Sequence, residues 1–174
     1  MYIRKYIIIL YKFNVMKTNS PKPYKPSQEN RFVANEPTVY YVANTPTPLN
    51  VLTSFEKMQI IKRGVSKDYL ECFKKATSLD YASLADALLV TRATLINKKG
   101  DEKFNDQVSE RIISIADLYA FGYEVFEDKT HFNEWMFVPN QGLGGEVPFS
   151  IVNNQYGREE IKSLIGRIAY GVYS

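Results

Sequence analysis

Side chains able to do covalent or acid–base chemistry are scarce in this chain. Its 174 residues include one histidine, His131, and one cysteine, Cys72. His131 stands beside Phe132, with no Ser, Cys or carboxylate at a spacing that names a reaction. It reads as a surface or internally satisfied residue. A single cysteine excludes an internal disulfide and a Cys-rich metal site. In "YLECFKK" a small buried hydrophobe is the stronger reading of Cys72 and a reactive thiol the weaker. One histidine and isolated acids make no metal set. The glycine-rich "NQGLGGEVP" (140–148) lacks the spacing of a phosphate-cradling loop, and no strand precedes it. It reads as a tight turn into a helix beginning near Pro148, whose fixed φ suits a first helical turn. No catalytic residue, metal or cofactor is expected, and the chain is not expected to be an enzyme. The chemistry that remains is recognition.

Two stretches carry residues suited to it. The first is "YASLADALLVTRATLINKKG" (81–100), which has the pattern of a helix-turn-helix. Leu84 and Leu88 are apolar, Ala85 is the small residue where two helices cross, Val90 lies in the turn, and Leu95 anchors the second helix. Thr91 is placed to cap that helix. Its exposed face then carries Arg92, Thr94, Asn97, Lys98 and Lys99, types that reach phosphates or base edges in a major groove. The turn residue, Leu89, occupies a position suited to glycine, because a left-handed backbone there crowds a Cβ. It must either bear that strain or adopt another turn. On the pattern alone, two packed bundle helices with a solvated polar face explain the stretch equally well.

The second stretch is the chain end, "LIGRIAYGVYS" (164–174). Most ends are polar and fray; this one is apolar and aromatic. Arg167 supplies a cation, Gly166 and Gly171 allow close backbone approach, and Tyr170 and Tyr173 are rigid aromatic anchors. A terminus enters a narrow cavity without a return strand, and Ser174 adds a free carboxylate. The alternative is that Tyr170, Val172 and Tyr173 fold back on their own core.

These residues must be held by helices. "SKDYLECFKKATSL" offers Ser66 as an N-cap, with Tyr69, Leu70, Phe73 and Thr77 on one side. In "FNDQVSERIISIADLYAFG" an apolar stripe runs Phe104, Val108, Ile112, Ile115 and Tyr119 and closes at Gly122. "HFNEWMFV" supplies another apolar turn or two before Pro139, with Trp135 read first as core and second as contact surface. In "GREEIKSLIGRIAYGV" Ile161, Leu164, Ile165 and Ile168 share one face, and Glu159 and Glu160 fall in the first turn, where the helix dipole favours negative charge.

The start of the chain differs in kind. Six of the eight prolines precede residue 49 and no glycine precedes Gly64. Such Pro-rich, Lys-rich sequence favours extended, solvated backbone, though "TVYYVA" has the makings of a short strand. The net charge is +3, but residues 1–31 hold seven of the 22 basic residues and one of the 19 acidic ones. The remainder is net acidic, so any nucleic-acid contact must come from a local patch. The longest aliphatic run of "MYIRKYIIILYKFNVM", Ile7 to Leu10, is far short of the roughly 20 residues that span a bilayer. No small-residue cleavage site follows it. Met16 opens "MKTNSPKPYKP", which reads as a natural start, so residues 1–15 read as an upstream extension. The expected organisation is an arm (1–52), a helix-turn-helix bundle (53–124) and a small α-helical recognition domain (125–174), all-α apart from the arm.

Trp135, Pro139 and Asn140, Leu143 to Gly145, Pro148, and Ile165 to Ser174 together resemble the toxin-binding domain of Xre/MbcA/ParS-type antitoxins. "Leu-Ala" at 84–85, "Thr-Leu" at 94–95, "Lys-Lys-Gly" at 98–100 and "Phe-Gly" at 121–122 fit the same family, and the resemblance covers about residues 60–174. Departures are Leu89 in the turn, Ile165 for the usual Leu, Ala169 at a position that tends to be acidic, and few arginines on the reading face. The resemblance implies an all-α, dimeric antitoxin partnered with a RES-domain toxin that attacks NAD; the single cysteine fits a reducing compartment, so a cytoplasmic location without membrane association is expected. It further implies that the C-terminal helix and last residues cover the toxin's NAD pocket. The contact residues it indicates are Trp135, Leu143, Gly144, Gly145, Gly166, Arg167, Tyr170, Gly171, Val172, Tyr173 and Ser174. Operator DNA would be bound through Thr91, Arg92, Thr94, Asn97, Lys98 and Lys99. The rival is a stand-alone helix-turn-helix regulator whose C-terminal half only dimerises.

Overall fold

Seven α-helices account for most of the described residues, and each begins behind a Thr, Ser, Asp or Asn whose side chain accepts a backbone N–H. The computed structural model describes residues 39–42 and 45–171. The N-terminal arm up to residue 38 and the last three residues, Val172, Tyr173 and Ser174, lie outside them. A short antiparallel pair, β1 (Val39–Val42) and β2 (Thr45–Pro48), comes first, in the register Val39 to Pro48. The strand expected in "TVYYVA" is β1.

The first helix, α1 (Ser54–Arg63), is closed at its start by a reciprocal box: Glu56 N–H donates to Thr53 Oγ1 at 3.3 Å, and Thr53 N–H donates to Glu56 Oε2 at 2.8 Å. Next come α2 (Lys67–Thr77), α3 (Tyr81–Leu88), the short α4 (Arg92–Asn97), the long α5 (Asp106–Phe126), α6 (Lys129–Trp135) and α7 (Gln155–Ala169). Ser66 caps α2 as expected, and Leu70, Phe73 and Thr77 are buried on its inner face; Tyr69 and Cys72 are half-buried. Apart from the β1–β2 pair the described residues build an all-α fold, and no helix among them is long and apolar enough to cross a membrane.

Helix α5 is the spine. Val108, Ile112, Ile115 and Tyr119 are buried along it, each worth about 1.5–3 kcal/mol of apolar transfer when fully enclosed. The stripe does not end at Gly122. The helix runs on to Phe126 and terminates at Glu127 with a left-handed backbone (φ 57°). Gly122 serves the packing instead: a Cβ there would lie 2.6 Å from Phe132 Cε1 and nearer still to Cζ and Cε2. Tyr119, Tyr123 and Phe132 meet edge-on around this point, with ring centroids 5.3–5.9 Å apart.

Helix α7 lies along α5. Ile161, Leu164 and Ile165 are buried in the contact and Ile168 is half-buried. The helix starts at Gln155 behind Asn154, so Glu159 and Glu160 fall beyond its first turn, which holds no acidic residue. Pro148 opens a separate 3-10 turn, Pro148–Ile151, ahead of the helix. Asp117 on α5 is buried and takes Lys57 of α1 on Oδ1 at 2.6 Å and Lys162 of α7 on Oδ2. One carboxylate thus ties three helices.

Candidate functional site

The helix-turn-helix is built as its spacing requires. Leu84, Ala85 and Leu88 are buried on α3, and Leu95 on α4. The turn bears the strain: Leu89 adopts φ 54°, ψ 46° while its side chain stays 55% exposed. A leucine there costs about 1–2 kcal/mol against glycine. Arg111 of α5 donates from Nη1 to the Leu88 carbonyl at 3.1 Å, satisfying the end of α3. Thr91 caps α4, its Oγ1 accepting from Thr94 N–H at 3.2 Å.

Lys67 holds the pair from behind. It is buried, and its ammonium donates to Tyr81 Oη and to the Leu95 carbonyl, both at 2.7 Å, and pairs with Glu71. Burial opposes its charge, but Glu71 and Tyr81 outweigh that and raise its pKa. Burial likewise works against the Glu71 carboxylate, yet the hydrogen bonds from Lys67 and Tyr81 hold its pKa below the ordinary 4.5. Nothing in the sequence pattern marked Lys67, since a lysine one residue inside a helix start reads as solvated.

Thr91, Arg92, Thr94 and Asn97 are exposed, three of them on α4 itself. Lys98 and Lys99 are not on that helix. It ends at Asn97, Lys98 turns into extended backbone (ψ 147°) with its ammonium 5.5 Å from the centroid of the Phe104 ring, and Lys99 belongs to the following loop.

Of the C-terminal contact residues expected from the sequence, Trp135 and Arg167 line a cleft of about 490 Å³ between the end of α5, α6 and α7; Leu143, Gly144, Gly145, Gly166, Tyr170 and Gly171 are not in its lining. Trp135 forms one wall, stacked on Phe132 (centroids 5.7 Å, planes 23° apart) and 5.3 Å from Phe126. Being half-buried, it is both core and surface. Asn140 opens the neighbouring loop and accepts from Gly142 N–H on Oδ1 at 2.9 Å and from Gly145 N–H on its carbonyl at 2.9 Å. Gly144 and Gly145 stand exposed at φ 69° and 90°, with Leu143 turned in against the core. This is the tight turn expected of "NQGLGGEVP". Arg167 reaches across from α7, donating from Nη2 to the Gly142 carbonyl at 3.5 Å.

Gly166 has open space where a Cβ would stand. Beyond it the helix stops in a defined way: Tyr170 N–H donates to the Gly166 carbonyl at 3.2 Å, and Gly171 takes φ 65° and donates to the Ile168 carbonyl at 3.1 Å. A helix commonly ends on such a left-handed glycine, so Gly171 has a terminating role. Tyr170 is 86% exposed and does not fold back on this core. Val172, Tyr173 and Ser174 are outside the described residues.

Sequence reasoning set His131 aside, yet it lines the cleft beside Phe126, as do Asn140, Gly142, Leu164 and Ile168. Their membership is a matter of three elements converging, which no local spacing reports. Exposed Phe137 and Val138 were equally unmarked.

Residues 122–171, spanning the end of α5 to the end of α7, match the family described as the antitoxin Xre/MbcA/ParS C-terminal toxin-binding domain. Antitoxin Xre of Yersinia enterocolitica serotype O:8 / biotype 1B is 30% identical over 116 residues, covering 66% of this chain and 78% of that protein. The chain belongs to the Xre/MbcA/ParS antitoxin family. Antitoxin Xre of Photorhabdus laumondii subsp. laumondii is 33% identical over 76 residues (43% of this chain, 51% of that protein). A Sphingobium protein named Prs ADP-ribosylating antitoxin is 24% identical over 130 residues (68% and 81%). This antitoxin's partner is therefore a cognate toxin, and its own role is binding and not catalysis.

Proposed function

We propose that the antitoxin neutralises an NAD-consuming toxin of the RES type by placing the end of α7 over the toxin's NAD pocket. The supporting observation is the exposure of Tyr170 at the tip of α7, on a helix whose other face is anchored to α5. An aromatic that gains nothing at home is poised to bury its ring elsewhere. In this reading Trp135, Leu143, Gly144, Gly145, Gly166, Arg167, Tyr170, Gly171, Val172, Tyr173 and Ser174 make the contact with the toxin. Co-purification with the neighbouring gene product, followed by an NAD-consumption assay of the complex, tests the reading. It predicts a stable pair in which NAD loss stops; a bound toxin that still consumes NAD contradicts it.

A second activity is favoured by the capped, exposed α4. As a dimer in the cytoplasm, the antitoxin represses its own operon, with Arg92, Thr94 and Asn97 reading DNA, Thr91 at the helix start touching phosphate, and Lys98 and Lys99 adding charge from the loop. Gel shift on the operon's upstream DNA tests this. Arg92→Ala combined with Lys98→Ala is expected to weaken the shift; an unchanged shift rejects this face.

A further inference from the structure

The cleft between α5, α6 and α7 carries one permanent charge and no matching one. Of the residues lining it, Arg167 is the sole permanent cation, and neither an aspartate nor a glutamate is among them. Arg167 is half-buried beside Leu164, Ile168 and Trp135. A guanidinium presents five donors in a planar fork suited to a carboxylate. Among the described residues it makes a single 3.5 Å bond to the Gly142 carbonyl, at the long limit of the geometry, and pairs with no carboxylate. Phe126, Trp135, Leu164 and Ile168 give it an apolar side, and His131, Asn140 and Gln141 a neutral polar one.

We propose that this cleft receives a carboxylate-bearing side chain of the cognate toxin, which pairs with Arg167 against the Phe126–Trp135 wall. The inference rests on the neutralisation reading and deepens it: the antitoxin gives its tip to the toxin and takes an acidic residue in return. Charge complementarity selects the occupant. One cation beside a partly apolar wall, with no acidic residue in the lining, suits one carboxylate on an aliphatic stem, whereas a nucleic-acid backbone is met by a row of cations. Position agrees, because Arg167 and Ile168 line the cleft and Tyr170 stands at the tip of the same helix.

Trp135 is the chain's single tryptophan, so it reports the cleft alone. Incorporating 5-fluorotryptophan into the full antitoxin and adding unlabelled cognate toxin is expected to shift the one fluorine resonance. Arg167→Gln is expected to raise the Kd for the toxin about tenfold and flatten its salt dependence, with Arg167→Lys recovering part of the loss. An unshifted resonance in the formed complex overturns the proposal, as does an unchanged Kd for Arg167→Gln. So does a resonance in the free chain that moves when residues 172–174 are removed and that toxin does not move further; the chain's own end would then be the occupant. A toxin that binds, shifts the resonance and still consumes NAD supports the cleft assignment while overturning the neutralisation reading.

Discussion

The ring of Phe132 occupies the space in which any side chain at position 122 would have to stand. Gly122 is buried on α5 and Phe132 is fully buried on α6, so the close approach fixes how α6 sits and where it presents Trp135. Gly122→Ala forces the ring away. A loss of about 1–3 kcal/mol is expected from such overpacking, read as a lower Tm, together with a red shift of Trp135 fluorescence as the cleft wall moves. A variant with unchanged Tm and emission contradicts this packing.

Asp117 is the joint between the helix-turn-helix half and the C-terminal helix. Its two oxygens take Lys57 and Lys162, and the carboxylate is buried. Asp117→Ala leaves two ammoniums facing one another without their counter-charge. Both ammoniums are partly exposed, so the loss is expected to be about 1–2 kcal/mol, measured by urea unfolding. Lys162→Met alone, at the more exposed end, is expected to cost clearly less.

Leu89 supplies a test with the opposite sign. Its backbone is left-handed and its side chain is largely exposed, so glycine there removes strain while giving up little burial. Leu89→Gly is expected to stabilise the fold by about 0.5–1 kcal/mol after the added freedom of the unfolded chain is counted. Thermal melts measure it. A destabilised variant would mean that the leucine side chain earns its place through a contact outside this chain's own core.

The Lys67–Glu71 pair makes stability depend on pH in a defined window. Glu71 has its folded pKa below 4.5, so its contribution is present above that value and lost as pH falls through the lowered one. Lys67 has its folded pKa above 10.5, so its contribution is complete below that value and lost only in stronger alkali. The stability difference between the natural chain and Lys67→Met is therefore expected to be flat from about pH 5 to 10 and to shrink in acid. Urea midpoints at pH 7 and pH 3 measure it; an equal difference at both rules out the pair as its source.

Much of this architecture could be read from local sequence, because helix starts and apolar stripes are local signals. Ser66 and Thr91 announced their helices, and the apolar steps from Val108 to Tyr119 marked the buried side of α5. What misled were contacts between distant residues. Gly122 looked like a helix end because its partner, Phe132, is on the next helix. Lys98 and Lys99 looked helical because no glycine intervenes until Gly100, yet α4 stops at Asn97 once Leu95 has been buried. The family's ordered motif picked out Trp135 and Arg167, but not the cleft that both of them line. That requires His131, Asn140 and Arg167 to converge from two helices and the loop between them.

The central claim is that residues past the end of α7 do their work inside the toxin. The most direct measurement is protection against the cognate toxin by an antitoxin lacking residues 170–174, assayed by growth on co-expression and by NAD consumption in the purified mixture. Circular dichroism serves as the control for folding. The account predicts a helical, folded truncation that leaves the toxin active. A folded truncation that protects as well as the complete chain would contradict it.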